Sequence, residues 1–245
     1  MPNLVIIFTD DQGYADVGVF GAKDSRLRTS IASLRKVASS RTSTSAQPVC
    51  SASRAALLTG CYSNRIGIHG ALGPAATHGI ADGEMTLAEL VKQKGYATGM
   101  VGKWHLGRPA QFSADAPRLR RIFRPAVLER HVAAASRGSP AHYPPLPLIE
   151  GDRVLKEQLT HEDQAQLTTQ YTERAVRFIE KNKDRPFFLY VAPQHAARAV
   201  ARERQVHRAS RRAGLYGDVI EEIDWSVGEI LAALKRSGVE EKHVG

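Results

Sequence analysis

The chain has 245 residues, 42% of them hydrophobic and 24% charged, which is ordinary for a globular protein with room for one large core. No run of 18 or more apolar residues occurs, so no membrane span is expected, and two cysteines exclude a disulfide framework. A net charge of +9 suggests a polyanion partner, but segments 25–46, 108–137 and 194–212 hold 18 of the 34 Lys/Arg and only 3 of the 25 Asp/Glu, so an otherwise acidic chain carries three basic blocks.

NLVIIFTD (3–10) is a short β-branched run ending in acids, as expected of a buried parallel strand whose C-terminal end carries function. It is too short, and lacks the basic flank, for a signal peptide. DQGYADVG (11–18) follows as a Gly-punctuated loop. Residues 51–58 read as a helix that Gly60 ends, with Cys50 and Cys61 at its two ends. Eleven helical steps separate those cysteines by roughly 16 Å, beyond the reach of a disulfide. TLAELVKQKG (86–95) is an amphipathic helix with Leu87, Leu90 and Val91 inward, and YATGMVG (96–102) is the next strand. PPLPLIEG (144–151) reads as a proline-rich connector. Residues 163–182 form a long helix presenting Leu167, Tyr171, Ala175, Phe178 and Ile179. PFFLYVA (186–192) is a second buried strand, with proline placed where no ladder donor is lost. Residues 215–238 give a last helix with Val219, Ile223, Val227, Ile230 and Leu231 inward. Alternating helices and apolar strands predict an α/β fold, a mostly parallel central sheet sandwiched by helices.

CSASRAALLTG (50–60) opens on a cysteine at a helix N-terminus. There the dipole favours ionised or oxidised forms of the thiol. Arg54, one turn on, shares its face and can hold an anion beside it. Alone, a free cysteine in such a place is as often a small half-buried hydrophobe. Two further stretches change the balance. Asp10 and Asp11, directly after a buried strand, would repel each other without a cation nearby. GKWHLG (102–107) ends another strand with Lys103 and His105 one residue apart. His69, His78 and His142 fit no pattern and read as surface residues.

CSASRAALLTG resembles the signature of the type I sulfatases, a Cys-x-(Pro/Ser/Ala)-Ser-Arg core running on to Leu-Thr-Gly. GKWHLG resembles a second signature of that family, and NLVIIFTDDQGYADVGVFG resembles its first strand and metal loop. EGD (150–152), YTERAVRFIEKNKDRPFFLYVA and GLYGDVIEEIDWSVG are similar to bacterial arylsulfatase-like members. The resemblance implies an alkaline-phosphatase-like fold over residues 1–245, incomplete at its C-terminal end. It also implies a sulfuric ester hydrolase in which Cys50 is oxidised to Cα-formylglycine by a formylglycine-generating or equivalent maturation enzyme. One oxygen of the aldehyde hydrate attacks sulfur, and the other helps eject sulfate as the aldehyde re-forms. Asp10, Asp11 and the Cys50 position would bind a divalent metal, usually Ca²⁺. Arg54 would hold the formylglycine end, Lys103 would contact sulfate, and His105 would orient the hydrate and assist release. Cys61 stands where the family often has arginine and is expected to be structural. The substrate would be a small-molecule or carbohydrate sulfate ester, with neither nucleic acid nor membrane as partner. Members of this type are usually periplasmic or secreted. The alternatives are a phosphate or phosphonate ester hydrolase of the same superfamily, and a non-catalytic protein binding a polyanion through its basic blocks.

The three blocks depart from the family pattern. Read out of frame, Leu27–Ala32 can encode Pro-Asn-Leu-Asp-Arg and Gln194–Ala199 can encode Ser-Met-Pro-His-Val-Pro, both family motifs. Arg118–His131 can likewise encode an acidic, aromatic stretch close to the family's substrate loop. Compensated frameshifts are therefore inferred. In the chain as written the histidine that would protonate the leaving alcohol is displaced, with His195 nearby in another context. The chain also stops before the family's Asp-Asn metal pair. Little or no turnover is expected of it.

Overall fold

The computed structural model describes residues 1–17, 20, 44–73, 76–107, 122–125, 146–151, 153–194, 214–240 and 243–244. Most of the three basic blocks, His142, Asp152 and His195 lie outside these residues. In chain order come β1 (Asn3–Ile7), a 3₁₀ turn (Tyr14–Asp16), α1 (Cys50–Thr59), a second 3₁₀ turn (Ser63–Ile66), α2 (Leu87–Gln93), β2 (Ala97–Gly102), β3 (Ile122–Pro125), β4 (Leu148–Glu150) and β5 (Arg153–Lys156). They are followed by α3 (His161–Ala165), α4 (Leu167–Asn182), β6 (Phe187–Ala192), α5 (Gly214–Arg236) and β7 (His243–Val244). Among the described residues seven strands make one sheet in the order β5-β4-β3-β2-β6-β1-β7. Pairing is parallel from β3 across to β7, and antiparallel between β3, β4 and β5.

The continuous apolar run of β6 follows from burial on both faces. Phe187, Leu189 and Val191 join the core under α4 and α5, with Tyr171, Phe178 and Ile179 from α4 and Ile230 and Leu234 from α5. Phe188, Tyr190 and Ala192 point the other way, into a core with Ala52, Ala55 and Leu58 of α1 and Val91 of α2. Asn3 is buried at the start of β1, where its side-chain carbonyl accepts from the Phe187 amide at 3.1 Å and aligns the two strands. Gly99 lets α4 approach β2, because a Cβ there would lie 2.6 Å from the Phe178 ring.

Three sequence expectations are corrected. The long helix is two helices: a capping box of Thr160 and Asp163 starts α3, and Gln166, whose amide bonds back to the Asp163 carbonyl, closes it before α4 begins. Leu90 is 48% exposed, whereas its neighbour Ala88 is buried, so the inward face of α2 runs through Ala88 and Val91. The connector 144–151 contributes β4, whose Leu148 and Ile149 are buried against the sheet. Thr86 caps α2, its hydroxyl accepting from the Glu89 amide while the Glu89 carboxylate accepts from the Thr86 amide. Thr86→Ala removes one half of that reciprocal pair and is expected to destabilise the fold by about 1 kcal/mol in thermal denaturation. No helix among the described residues is long and apolar enough to cross a membrane.

Candidate active site at the strand C-termini

The C-terminal ends of β1, β6 and β2 lie side by side, the edge where open α/β sheets place ligands. Asp10 follows β1, and Lys103 follows β2 directly. The Lys103 amide donates to the Ala192 carbonyl at 2.8 Å, which fixes where its side chain leaves the sheet. That turn requires Gly102: its φ is +99°, and a Cβ would lie 2.0 Å from the Ala192 oxygen.

Asp10 is 5% exposed, and both of its oxygens are engaged. Arg54 Nη2 donates to Oδ1 at 2.9 Å and Lys103 Nζ donates to Oδ2 at 2.8 Å. Arg54, wholly buried, also donates from Nη1 to the Tyr190 hydroxyl at 3.0 Å and to the Lys103 carbonyl at 3.2 Å. Its guanidinium lies 5.3 Å from the centre of the Phe8 ring, a further cation–π contact. Two cations against one carboxylate leave the cluster one net positive charge. Burial pushes the Asp10 carboxyl up, but the Lys103 and then Arg54 charges outweigh it and hold the group below its usual range. Burial lowers Lys103, with Asp10 opposing.

Cys50 is the first residue of α1, with extended Val49 before it and Gly60 closing the helix in the left-handed conformation. The thiol is half-buried and feels the charges of Lys103, Asp10 and Arg54. Burial raises its pKa and the Lys103 charge only partly opposes that. The helix dipole therefore does not ionise this thiol as the sequence pattern suggests, since desolvation dominates. Unmodified, Cys50 is a poor nucleophile at neutral pH.

His105 is reached through the backbone of one residue. The Leu72 amide donates to Ser51 Oγ at 3.1 Å, and the Leu72 carbonyl accepts from His105 Nε2 at 2.8 Å. Residue 72 thus ties the start of α1 to the loop after β2. Because a carbonyl can only accept, the neutral ring carries its proton on Nε2 and Nδ1 is the basic atom. Burial first, then the Lys103 charge, lowers His105 to about 4, so it is neutral at pH 7. Among the described residues the non-glycine positions with left-handed backbone are Asp11 (φ 51°) and His105 (φ 54°), and both flank this cluster. Strain of this kind concentrates at functional sites.

Cys50 and His105 thus each lie within electrostatic reach of Asp10, Arg54 and Lys103. Asp11 is exposed at the rim. His69 and His78 are exposed surface residues. Cys61 is free and half-buried beyond the far end of α1. Sequence reading missed Tyr190 and Leu72. Tyr190 stands inside an apolar strand and Leu72 acts through its backbone, so neither leaves a motif. The donor chemistry of Asp10 and Asp11 fits a hard divalent cation, because a carboxylate has about four lone-pair sites and Asp10 has given two to nitrogen donors. Among the described residues no cluster of three His, Cys, Asp or Glu gathers to complete such a site.

A family model described as Sulfatase matches residues 2–244. The N-acetylgalactosamine-6-sulfatase of Mus musculus is 34% identical, with 97% of this chain and 48% of that protein covered. The steryl-sulfatase of Mus musculus is 28% identical, over 97% of this chain and 49% of that protein. Among solved structures, the crystal structure of Ps i-CgsB superposes with a TM-score of 0.81 at 26% identity, covering 99% of this chain and 56% of that one. The chain spans about half the length of the curated relatives it matches. Sulfatases generally use a formylglycine and a divalent metal.

Proposed function

Because the chain belongs to the sulfatase family, we propose that the Asp10–Lys103–Arg54 cluster and Cys50 are the reacting part of a sulfuric ester hydrolase acting on carbohydrate or small-molecule sulfate esters. The observation that carries this reading is Cys50 at the first turn of α1, beside two buried cations that share a single carboxylate. The Lys103 ammonium attracts the sulfuryl oxygens, and the first turn of α1 adds backbone N–H groups that favour an anion. Arg54 is committed to Asp10, Tyr190 and the Lys103 carbonyl, so its part is to hold Lys103 and the start of α1 in register. His105 Nδ1 takes up and returns a proton at the reacting oxygen, the ring being fixed by its bond to Leu72.

Cys50 oxidised to formylglycine supplies an oxygen nucleophile whose second hydroxyl can later expel sulfate. A divalent metal, Ca²⁺ by family habit, would be held by Asp10, Asp11 and the Cys50 position and would polarise the sulfate oxygens. The two carboxylates that the described part of the site offers would hold such an ion weakly, so low turnover is expected. A carbohydrate ester is favoured because a structure similar to this chain, Ps i-CgsB, is in complex with a neocarrahexaose, at 25% identity and a TM-score of 0.80.

Coexpression with a formylglycine-generating enzyme, followed by peptide mass analysis, tests the assignment. The expected result is thiol-to-aldehyde conversion at Cys50, with Cys61 untouched as the internal control. Conversion at Cys61, or at neither cysteine, would overturn it.

A further inference from the structure

Gln194 lies two residues beyond the end of β6, the strand between β1 and β2. The register pairs Ile7 with Val191 and Gly102 with Ala192. Gln194 is the second residue past the end of β6, Asp10 the third past β1 and Lys103 the first past β2. Asp10 and Lys103 follow strands that lie on either side of β6, so their 2.8 Å ion pair forms at the end of the sheet from which Gln194 also leaves β6. Gln194 is 4% exposed, yet among the described residues neither its Oε1 nor its Nε2 has a hydrogen-bond partner, and the Nε of buried Arg54 has none either. Buried amides are nearly always satisfied, and one left open beside a charged cluster is placed for a ligand that completes it.

Resting on the sulfatase reading, we infer that in this chain, which carries Gln194 where the shifted frame gives serine, Gln194 is a further ligand-contacting residue of the site and favours hydroxylated ligands. Its Nε2 donates to a sulfuryl oxygen and its Oε1 accepts from a hydroxyl of the alcohol part. A sulfate group has only acceptors, so it can satisfy the amide nitrogen but not the amide oxygen. The second bond requires a ligand bearing O–H groups near the ester, as a sugar sulfate does and a simple aryl sulfate does not.

The test uses the full chain with Cys50 unmodified, so that ligands bind without turnover, and calorimetric titration with inorganic sulfate and galactose 6-sulfate. Gln194→Met keeps the shape and removes both polar atoms. It is expected to weaken galactose 6-sulfate about tenfold, or roughly 1.4 kcal/mol, and inorganic sulfate by a smaller factor, with the melting temperature equal or raised. Gln194→Glu loses the donor and adds charge, so it should weaken inorganic sulfate at least as much; it also serves if the methionine variant fails to fold. Unchanged affinity for both ligands in either folded variant overturns the proposal. Equal losses for the two ligands overturn the hydroxyl selection. Lys103→Met separates the levels. If it abolishes binding while Gln194 variants bind normally, the Gln194 assignment alone fails. If it leaves binding intact, or if the parent chain binds neither probe, the site reading fails with it.

Discussion

Asp10→Ala is expected to cost the fold about 3–5 kcal/mol, read as a lower urea midpoint. The two cations that Asp10 pairs with are almost fully out of water: the side chains of Arg54 and Lys103 are 0% and 3% exposed. Removing the carboxylate leaves both uncompensated in a medium where water cannot screen them. Lys103 can shed its proton to escape that cost, and burial already lowers its pKa. Arg54 cannot, because a guanidinium keeps its charge at any relevant pH. Asp10→Asn keeps the volume and an acceptor oxygen, so it should lie between alanine and the parent. Adding Lys103→Met to Asp10→Ala should recover part of the loss, a non-additivity that neighbours sharing one ion pair show. A midpoint for Asp10→Ala within about 0.5 kcal/mol of the parent would mean that the cluster is not closed in solution as it is in this structure.

Acid should weaken the protein well before its carboxylates titrate. His105 falls from 6.5 to about 4 on folding, chiefly through burial and then through the Lys103 charge. Between those values the unfolded chain binds the proton and the folded chain does not. Stability from this group is therefore fully present above about pH 6.5 and lost as pH falls toward 4. The loss is about 2 kcal/mol by pH 5 and roughly 3 kcal/mol across the whole window. Asp10, whose pKa is lowered in the fold, acts in the same direction but below its ordinary value of 3.8, so the histidine phase comes first. His105→Asn is the matching control. Asparagine tolerates the positive φ and keeps an N–H for Leu72, but it does not titrate. Its urea midpoint should be nearly flat from pH 7 to pH 5, and a slope as steep as the parent's would remove His105 as the cause.

Much of the architecture was written in local pattern. The unbroken apolar run of β6 announced a strand covered on both faces, and α4 lines its core with the residues its 3.6-residue period selects, Leu167, Tyr171, Ala175, Phe178 and Ile179. Cys50, Arg54, Lys103 and His105 were legible because each stands in a short motif at an element end, where spacing along the chain reports spacing in space. Asp10 and Asp11 were legible as paired acids after a strand. The short elements were less readable: β4 hides in a proline-rich segment, and Leu90 carries a periodicity that its neighbours do not complete.

What chain order could not convey is which charges meet. Asp10 is 44 residues from Arg54 and 93 from Lys103, and the ion pairs exist because β6 inserts between β1 and β2 and brings their ends to one edge. The same insertion buries Tyr190 against Arg54 and brings the end of β6, with Gln194 two residues beyond it, to that edge. It also creates the desolvation that keeps the Cys50 thiol protonated and His105 neutral. Residue type and period are local properties, so the sequence carries them openly. Burial and Coulomb energy depend on distances through space, and those arise only when parallel strands far apart in the chain are laid side by side.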